Sequence, residues 1–297
     1  MKIFDCFMYF DEDLILDIRL NYLDKFVDYF VIVESLYNHN GQKRRPKFNI
    51  NNFKKFENKI KYLLIDNEGE IFSDIEKNDN VDQINDKQIM NALKRENYQR
   101  DCILKGLTEA NNDDWIIISD LDEIPNLEKN NLKESKNKIV FFKQLMIYYK
   151  LNLHLKNFPW IGSKACKKKD LESPQWLRNI KDRNYSWWRI DTLFSKTKYS
   201  NIKIFENGGW HFSYIKSPVD IEKKLKSYLH HTEYELNPLG SEKISELIKE
   251  KKTVYNLKAD SRSNKFSDGS TLEKLNINYL PKYVKDNISK FNEWIEK

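Results

Sequence analysis

Glycine and proline are scarce in this 297-residue chain, 8 and 7 respectively, which excludes collagen-like, linker-dominated and low-complexity architectures. Cysteine is scarcer still. Cys6, Cys102 and Cys166 stand far apart, form no C-x-x-C pair and cannot all pair within one chain, so neither a disulfide scaffold nor a thiolate zinc site is indicated. They read as reduced thiols in a cytosolic protein. Apolar runs such as 115–118 and 139–142 fall far short of the roughly 20 residues of a membrane helix. At the start, Asp5 interrupts the apolar residues and Asp11, Glu12 and Asp13 follow, so the segment reads as a strand and not a signal peptide. Charge of one sign is missing too, because 51 Lys+Arg are interleaved with 45 Asp+Glu. A dedicated nucleic-acid surface is therefore not indicated, while a modest anionic ligand stays within reach. What the chain does have is 40% apolar and 13% aromatic residues, enough for a real core and too much for a disordered chain.

The apolar spacing predicts a strand over 2–10, a helix over 14–26 and a continuous β-branched strand over 29–33. This closes a β-α-β unit with a buried, parallel strand pair. A third strand is expected at 61–65 and a polar loop over 67–87. A helix is expected over 89–110, ending at Asn111, Asn112, Asp113 and Asp114 before a strand at 115–118. The alternation makes the first half an α/β domain. Beyond Pro125 a charged helix or loop leads to strands at 139–142 and 145–149, and 186–215 shows no helical spacing. Helices are expected over 219–231, 241–257 and 291–296. There is no internal repeat. The expected organisation is a catalytic domain over 1–240, with a donor-binding half 1–125 and an acceptor half 126–240, followed by a helical extension over 241–297.

The sharpest feature is the buried run 115–118 followed by Ser119, Asp120, Leu121, Asp122, Glu123, Ile124 and Pro125. Ligands of open α/β sheets gather at the carboxyl ends of strands. In an extended segment residues i and i+2 point the same way, so Asp120 and Asp122 are expected to face one cation, with hard oxygens that suit Mg²⁺ or Mn²⁺. The plainer reading is an acidic turn with Asp120 as a cap and Glu123 in solvent.

Several blocks in the same order resemble glycosyltransferase family 17, the family of the bisecting N-acetylglucosaminyltransferase of N-glycan synthesis. They are Asp5, Cys6 and Phe7 with Glu12, Arg19 and Leu20, residues 27–35 with His39 and Gly41, and Arg95 and Glu96 with Gln99, Arg100 and Asp101. Residues 119–125, Tyr148 and Tyr149 with Asn152, 209–214, and 224–234 complete the set. Together they span about residues 3–235. The resemblance implies a GT-A-type, Rossmann-like fold with a mixed central sheet flanked by helices. It also implies a UDP-sugar donor, with N-acetylglucosamine as the expected sugar, a glycan or lipid-linked oligosaccharide acceptor, Mn²⁺ or Mg²⁺ at the D-x-D, and inversion.

On that basis Asp120 and Asp122 are expected to hold the metal-diphosphate and Glu123 to touch the donor sugar. Asp5 lies in a matching block on the donor side. Glu34 either accepts from ribose or uracil or caps the loop after it. Arg100 and Asp101 either serve the pyrophosphate or form an ordinary ion pair. His211 follows the pair Gly208–Gly209, expected to let the backbone approach a ligand, and either completes the metal shell or binds phosphate; its alternative is a core histidine. His230 and His231 with Glu233 look like a metal cluster, but helix neighbours diverge. Inversion needs a general base, for which Asp191 and then Glu206 are the candidates. Trp160, Trp176, Trp187 and Trp188 are core, lid or sugar platform. Arg178 and Arg183 are a diphosphate clamp or solvated.

No membrane anchor like that of the animal enzymes is seen, so a cytoplasmic enzyme is expected. Abundant Asn and Lys point to an AT-rich bacterial or viral genome and to lipid-linked or cell-surface acceptors. For the charged segment from Lys249 onward a lid, a partner surface and a peripheral membrane contact all stay open. Two rival functions remain: a haloacid dehalogenase-like phosphatase with a nucleophilic Asp120, and a non-catalytic glycan-binding module.

Overall fold

The computed structural model describes residues 1–69, 72–186, 188–192, 194–227, 234, 238–255 and 269–297. Its centre is a mixed sheet of ten strands. The parallel part comprises β1 (Ile3–Tyr9), β2 (Tyr29–Ser35), β3 (Ile60–Ile65) and β4 (Trp115–Asp120), in the order β4-β1-β2-β3. Beyond β4 the sheet turns antiparallel through β8 (Trp160–Lys167) and β6 (Ile139–Tyr148), then reaches β7 (Leu153–His154) and β10 (Glu273–Lys274). A long strand, β9 (Ile202–Ser213), runs parallel to β6 and also pairs with the short β5 (Glu123–Pro125).

Strand alternation sets the two faces. Ile3, Phe7 and Tyr9 enter one apolar cluster, while Phe4 and Cys6 enter the other. Helix α1 (Asp13–Leu23) covers the first face with Ile15, Leu16, Ile18 and Leu20. Helix α2 (Val81–Asp101), the short helix 102–106 and α3 (Pro174–Asn179) lie on the second. Residues near the end of the chain belong to the first core: Leu280, Val284 and Phe291 are buried in it, and the Trp210 indole donates to the Tyr279 carbonyl at 2.7 Å. All three cysteines are buried and free.

Several elements differ from the sequence expectation. Helix α2 begins at Val81, eight residues before the apolar spacing starts, because Asn80 and Gln83 form a reciprocal capping box. The expected strands 139–142 and 145–149 are one strand, β6, whose register shifts at Phe141–Gln144. The helix expected over 241–257 spans Gly240–Lys249, and Lys251 then takes a φ of 54°; residues 256–257 lie outside the described set. The last helix is a 3-10 turn over Ile288–Trp294.

Candidate active site

The site forms at the carboxyl ends of β1 and β4, where the sheet's parallel half meets β9. Its foundation is Arg19 on α1, fully buried against Asp5 of β1 at 2.6 Å. Its Nη1 donates to the carbonyls of Asp120, Leu121 and Glu123 at 2.9–3.0 Å, and Nη2 donates to the Ser119 hydroxyl. One guanidinium therefore fixes the whole turn between β4 and β5. The Asp120 amide closes that turn by donating to the Glu123 carboxylate at 2.9 Å. Asp5 is thus committed to Arg19 and supports the site from below, instead of touching donor.

Because residues 121–122 form a turn, the i, i+2 rule for strands does not apply, and the two aspartates have different partners. Asp120 receives Arg100 of α2 at 3.0 Å and Arg178 of α3 at 3.2 Å. Asp122 faces His211 Nε2 of β9 at 3.6 Å and Lys224 of α4 (Pro218–Ser227) at 3.5 Å. Lys224 also reaches Glu12 at 3.2 Å, and Lys216 pairs with Asp11 and Glu12. Burial pushes the Asp120 carboxyl up, but Arg178 and Arg100 outweigh it and hold it below the usual range. For Asp122 burial is likewise outweighed, by Lys224 and His211, and its pKa falls well below the usual value. Burial lowers and Asp122 raises the His211 pKa, with a net rise.

Glu123 is fully buried and its oxygens accept from the Trp160 indole at 2.7 Å and from Arg178 at 2.7 and 3.1 Å. It holds Arg178 and the turn, and it does not present a carboxylate to a sugar. Trp160 likewise stands beside His211, with ring centroids 5.2 Å apart. Arg100 is buried and touches Asp120, so it belongs to the cluster around the acidic turn and is no surface ion pair. Asp101 acts one step removed: it accepts from the Gln175 amide at 2.8 Å, and the Gln175 side chain accepts from Arg100. Glu34 takes the loop-capping alternative. It is buried and accepts from Arg44, the Lys47 and Phe48 amides and the Tyr62 hydroxyl at 2.7–3.1 Å.

Neither proposed base joins the cluster. Asp191 pairs with Arg189 and Lys198 on its own loop, both at 2.8 Å. Glu206 is exposed and pairs with Lys143, at a cavity of about 420 Å³ lined also by Asn126, Asn207, Trp210 and Tyr279. A hydrophilic sequence context could not separate these acids from Glu12, which the fold brings to Asp122 through Lys224. The glycine pair serves the backbone rather than a ligand. A Cβ on Gly209, at φ 132°, would stand 2.1 Å from the Ile124 carbonyl, and one on Gly208 2.3 Å from the Lys143 amide. Arg183 is exposed over the Tyr185 ring, and Trp176 donates to the Lys196 carbonyl. Trp187, His230, His231 and Glu233 lie outside the described residues.

Among the described residues no three His, Cys, Asp or Glu side chains already stand together as a metal cage. The donor chemistry nevertheless fits a hard or borderline cation. The Asp122–His211 separation of 3.6 Å is too long for a hydrogen bond. Asp122 and His211 would be the residues to hold such an ion, the carboxylate and the imidazole nitrogen being its ligands. The other ring nitrogen of His211 is buried without a hydrogen-bond partner, leaving Nε2 as the working end.

A mixed α/β sheet with a buttressed acidic turn at its carboxyl edge, ringed by arginines and lysines, has the layout of an α/β protein with a ligand crevice at that edge. The family model of Glycosyltransferase family 17 matches residues 1–295, essentially the whole chain. The chain belongs to that family and is a glycosyltransferase, with a sugar donor and an acceptor as substrates. Curated proteins show no significant match. Membership sets aside the phosphatase and binding-module readings, and Asp120, held by two guanidinium groups, is poorly placed as a nucleophile. Among the described residues no helix is long and apolar enough to cross a membrane.

Proposed function

We propose that the chain is a GT-A-type, metal-dependent, inverting transferase that moves a sugar, with N-acetylglucosamine as the expected one, from a UDP-sugar to a hydroxyl of a glycan or lipid-linked oligosaccharide. The observation that carries this reading is the acidic turn Asp120–Asp122 held by Arg19 at the carboxyl edge of the parallel strands, with cations on both sides. Asp122 and His211 would hold Mn²⁺ or Mg²⁺, with Asp120 beside them. When bound, the ion supplies charge stabilisation to the departing diphosphate.

The chain's own groups do the rest. Arg100 and Arg178 offer guanidinium donors to diphosphate oxygens, a geometry suited to bidentate contact. Lys224 is shared between Glu12 and Asp122, and a phosphate drawing it away leaves Glu12 with only the more distant Lys216, at 3.8 Å. Glu12 then becomes the more basic carboxylate and takes the proton from the attacking hydroxyl. Glu123, buried, holds Arg178 in place.

The test is UDP-sugar turnover with Mn²⁺ in wild type, Glu12→Gln and Asp191→Asn. Glu12→Gln is expected to lower kcat with little change in donor KM, and Asp191→Asn to leave both unchanged. The reverse pattern would return the base to Asp191.

A further inference from the structure

The described residues of segment 181–198, all but 187 and 193, belong to a loop closed at its stem. The Lys181 amide donates to the Thr197 carbonyl at 2.8 Å and the Tyr185 amide to the Tyr199 carbonyl at 3.0 Å. Asn184 exchanges two hydrogen bonds with Ile202, and the Trp176 indole of α3 donates to the Lys196 carbonyl at 2.7 Å. Tyr185 is buried beneath the stem, and Arg183, Arg189 and Lys198 gather over its ring at 4.7–5.8 Å. Among the described residues of the tip, three large apolar side chains are exposed: Trp188 at 68%, Ile190 at 71% and Phe194 at 86%. Single exposed apolar residues are ordinary, but three within seven positions form an exposed apolar surface.

Charge selects the partner. The same 18 residues carry Lys181, Arg183, Arg189, Lys196 and Lys198 against only Asp182 and Asp191. Asp182 is already paired with Lys164, and Asp191 with Arg189 and Lys198. A second copy seated symmetrically on this tip would bring like charges face to face. An anionic bilayer instead offers phosphates to the lysines and arginines and an apolar interior to the rings.

We propose that this loop is a membrane-docking surface, with Trp188, Ile190 and Phe194 entering the interface of an anionic bilayer and the surrounding cations meeting its headgroups. The loop leaves α3 directly, and α3 carries Arg178 to Asp120 and Glu123. Docking here therefore ties the orientation of the active site to the bilayer, which suits an acceptor carried on lipid. That last consequence rests on the transfer reading above; the docking itself does not.

Flotation of the full chain with vesicles measures this without donor or acceptor, so its failure and that of the transfer reading are separate results. The chain is expected to float with equimolar phosphatidylglycerol and phosphatidylcholine, weakly with phosphatidylcholine alone, and less as salt rises. Trp188→Ser with Phe194→Ser should weaken binding by about tenfold or more with thermal unfolding unchanged. Lys181→Glu with Lys196→Glu should remove the preference for anionic vesicles. No flotation, or flotation that neither pair of substitutions changes, would overturn the proposal. So would self-association abolished by Phe194→Ser, or burial of Trp188 by UDP-sugar without vesicles, which would make the patch a copy contact or a donor lid.

Discussion

Arg19 shows how one residue converts a common motif into a site. Its guanidinium is wholly enclosed, and it spends its donors on Asp5, on Ser119 and on three carbonyls of the D-x-D turn. Removing one member of a buried pair leaves the other charge unpaired, which costs about 3–5 kcal/mol. Arg19→Met is therefore expected to lower stability by that amount in urea unfolding and to impair donor binding beyond it; unchanged stability would deny Arg19 its role as the turn's anchor. From sequence, Asp5 and Arg19 stood out only as parts of separate matching blocks. Their pairing needs β1 and α1 folded against each other, 14 residues apart in the chain. Asp122 and His211, expected together from the blocks, do lie side by side, 3.6 Å apart. Glu34 was ambiguous because an acid at a strand end looks the same whether it meets a ligand or its own loop.

Elements explain what spacing could not. The parallel strands were visible because a strand buried on both faces reads as an unbroken apolar run. Strand β9 was missed because Glu206, Asn207, Gly208 and Gly209 break its pattern where it bulges past β6. That break is structural. Gly209→Ala would drive a Cβ into the Ile124 carbonyl and unseat the β5–β9 pairing that aligns Glu123 with His211, with an expected loss of about 2 kcal/mol or more. Wild-type thermal stability in that variant would contradict the assignment. Helix α3 is another element that sequence hid, at six residues too short for periodicity to show. It starts at a Ser173 cap and delivers Gln175 and Arg178 to the site. Ser173→Ala is expected to cost about 1 kcal/mol and to raise donor KM more than it lowers kcat; an unchanged KM would separate α3 from donor binding.

Over the whole molecule, the acid cluster links stability to pH. Glu12, Asp120 and Asp122 all titrate below their ordinary values in the folded chain, because nearby cations outweigh burial. As pH falls through the ordinary carboxylate range of about 4, the unfolded chain takes up protons first. The stabilisation is thus complete above that range and is lost as pH falls toward the folded values. Thermal stability should fall as pH drops below about 5, and Asp122→Asn should shallow the drop. An equal acid dependence in that variant would show that the cluster is not the source.

On the transfer reading, this acidic turn binds a cation and a sugar nucleotide together. The most direct measurement is calorimetric titration of UDP-N-acetylglucosamine into wild type and Asp122→Asn, each with and without Mn²⁺. Mn²⁺-dependent binding is expected in wild type and its loss in the variant, with the circular dichroism spectrum unchanged. Equal binding with and without Mn²⁺, or equal Mn²⁺-dependent binding in both proteins, would contradict it.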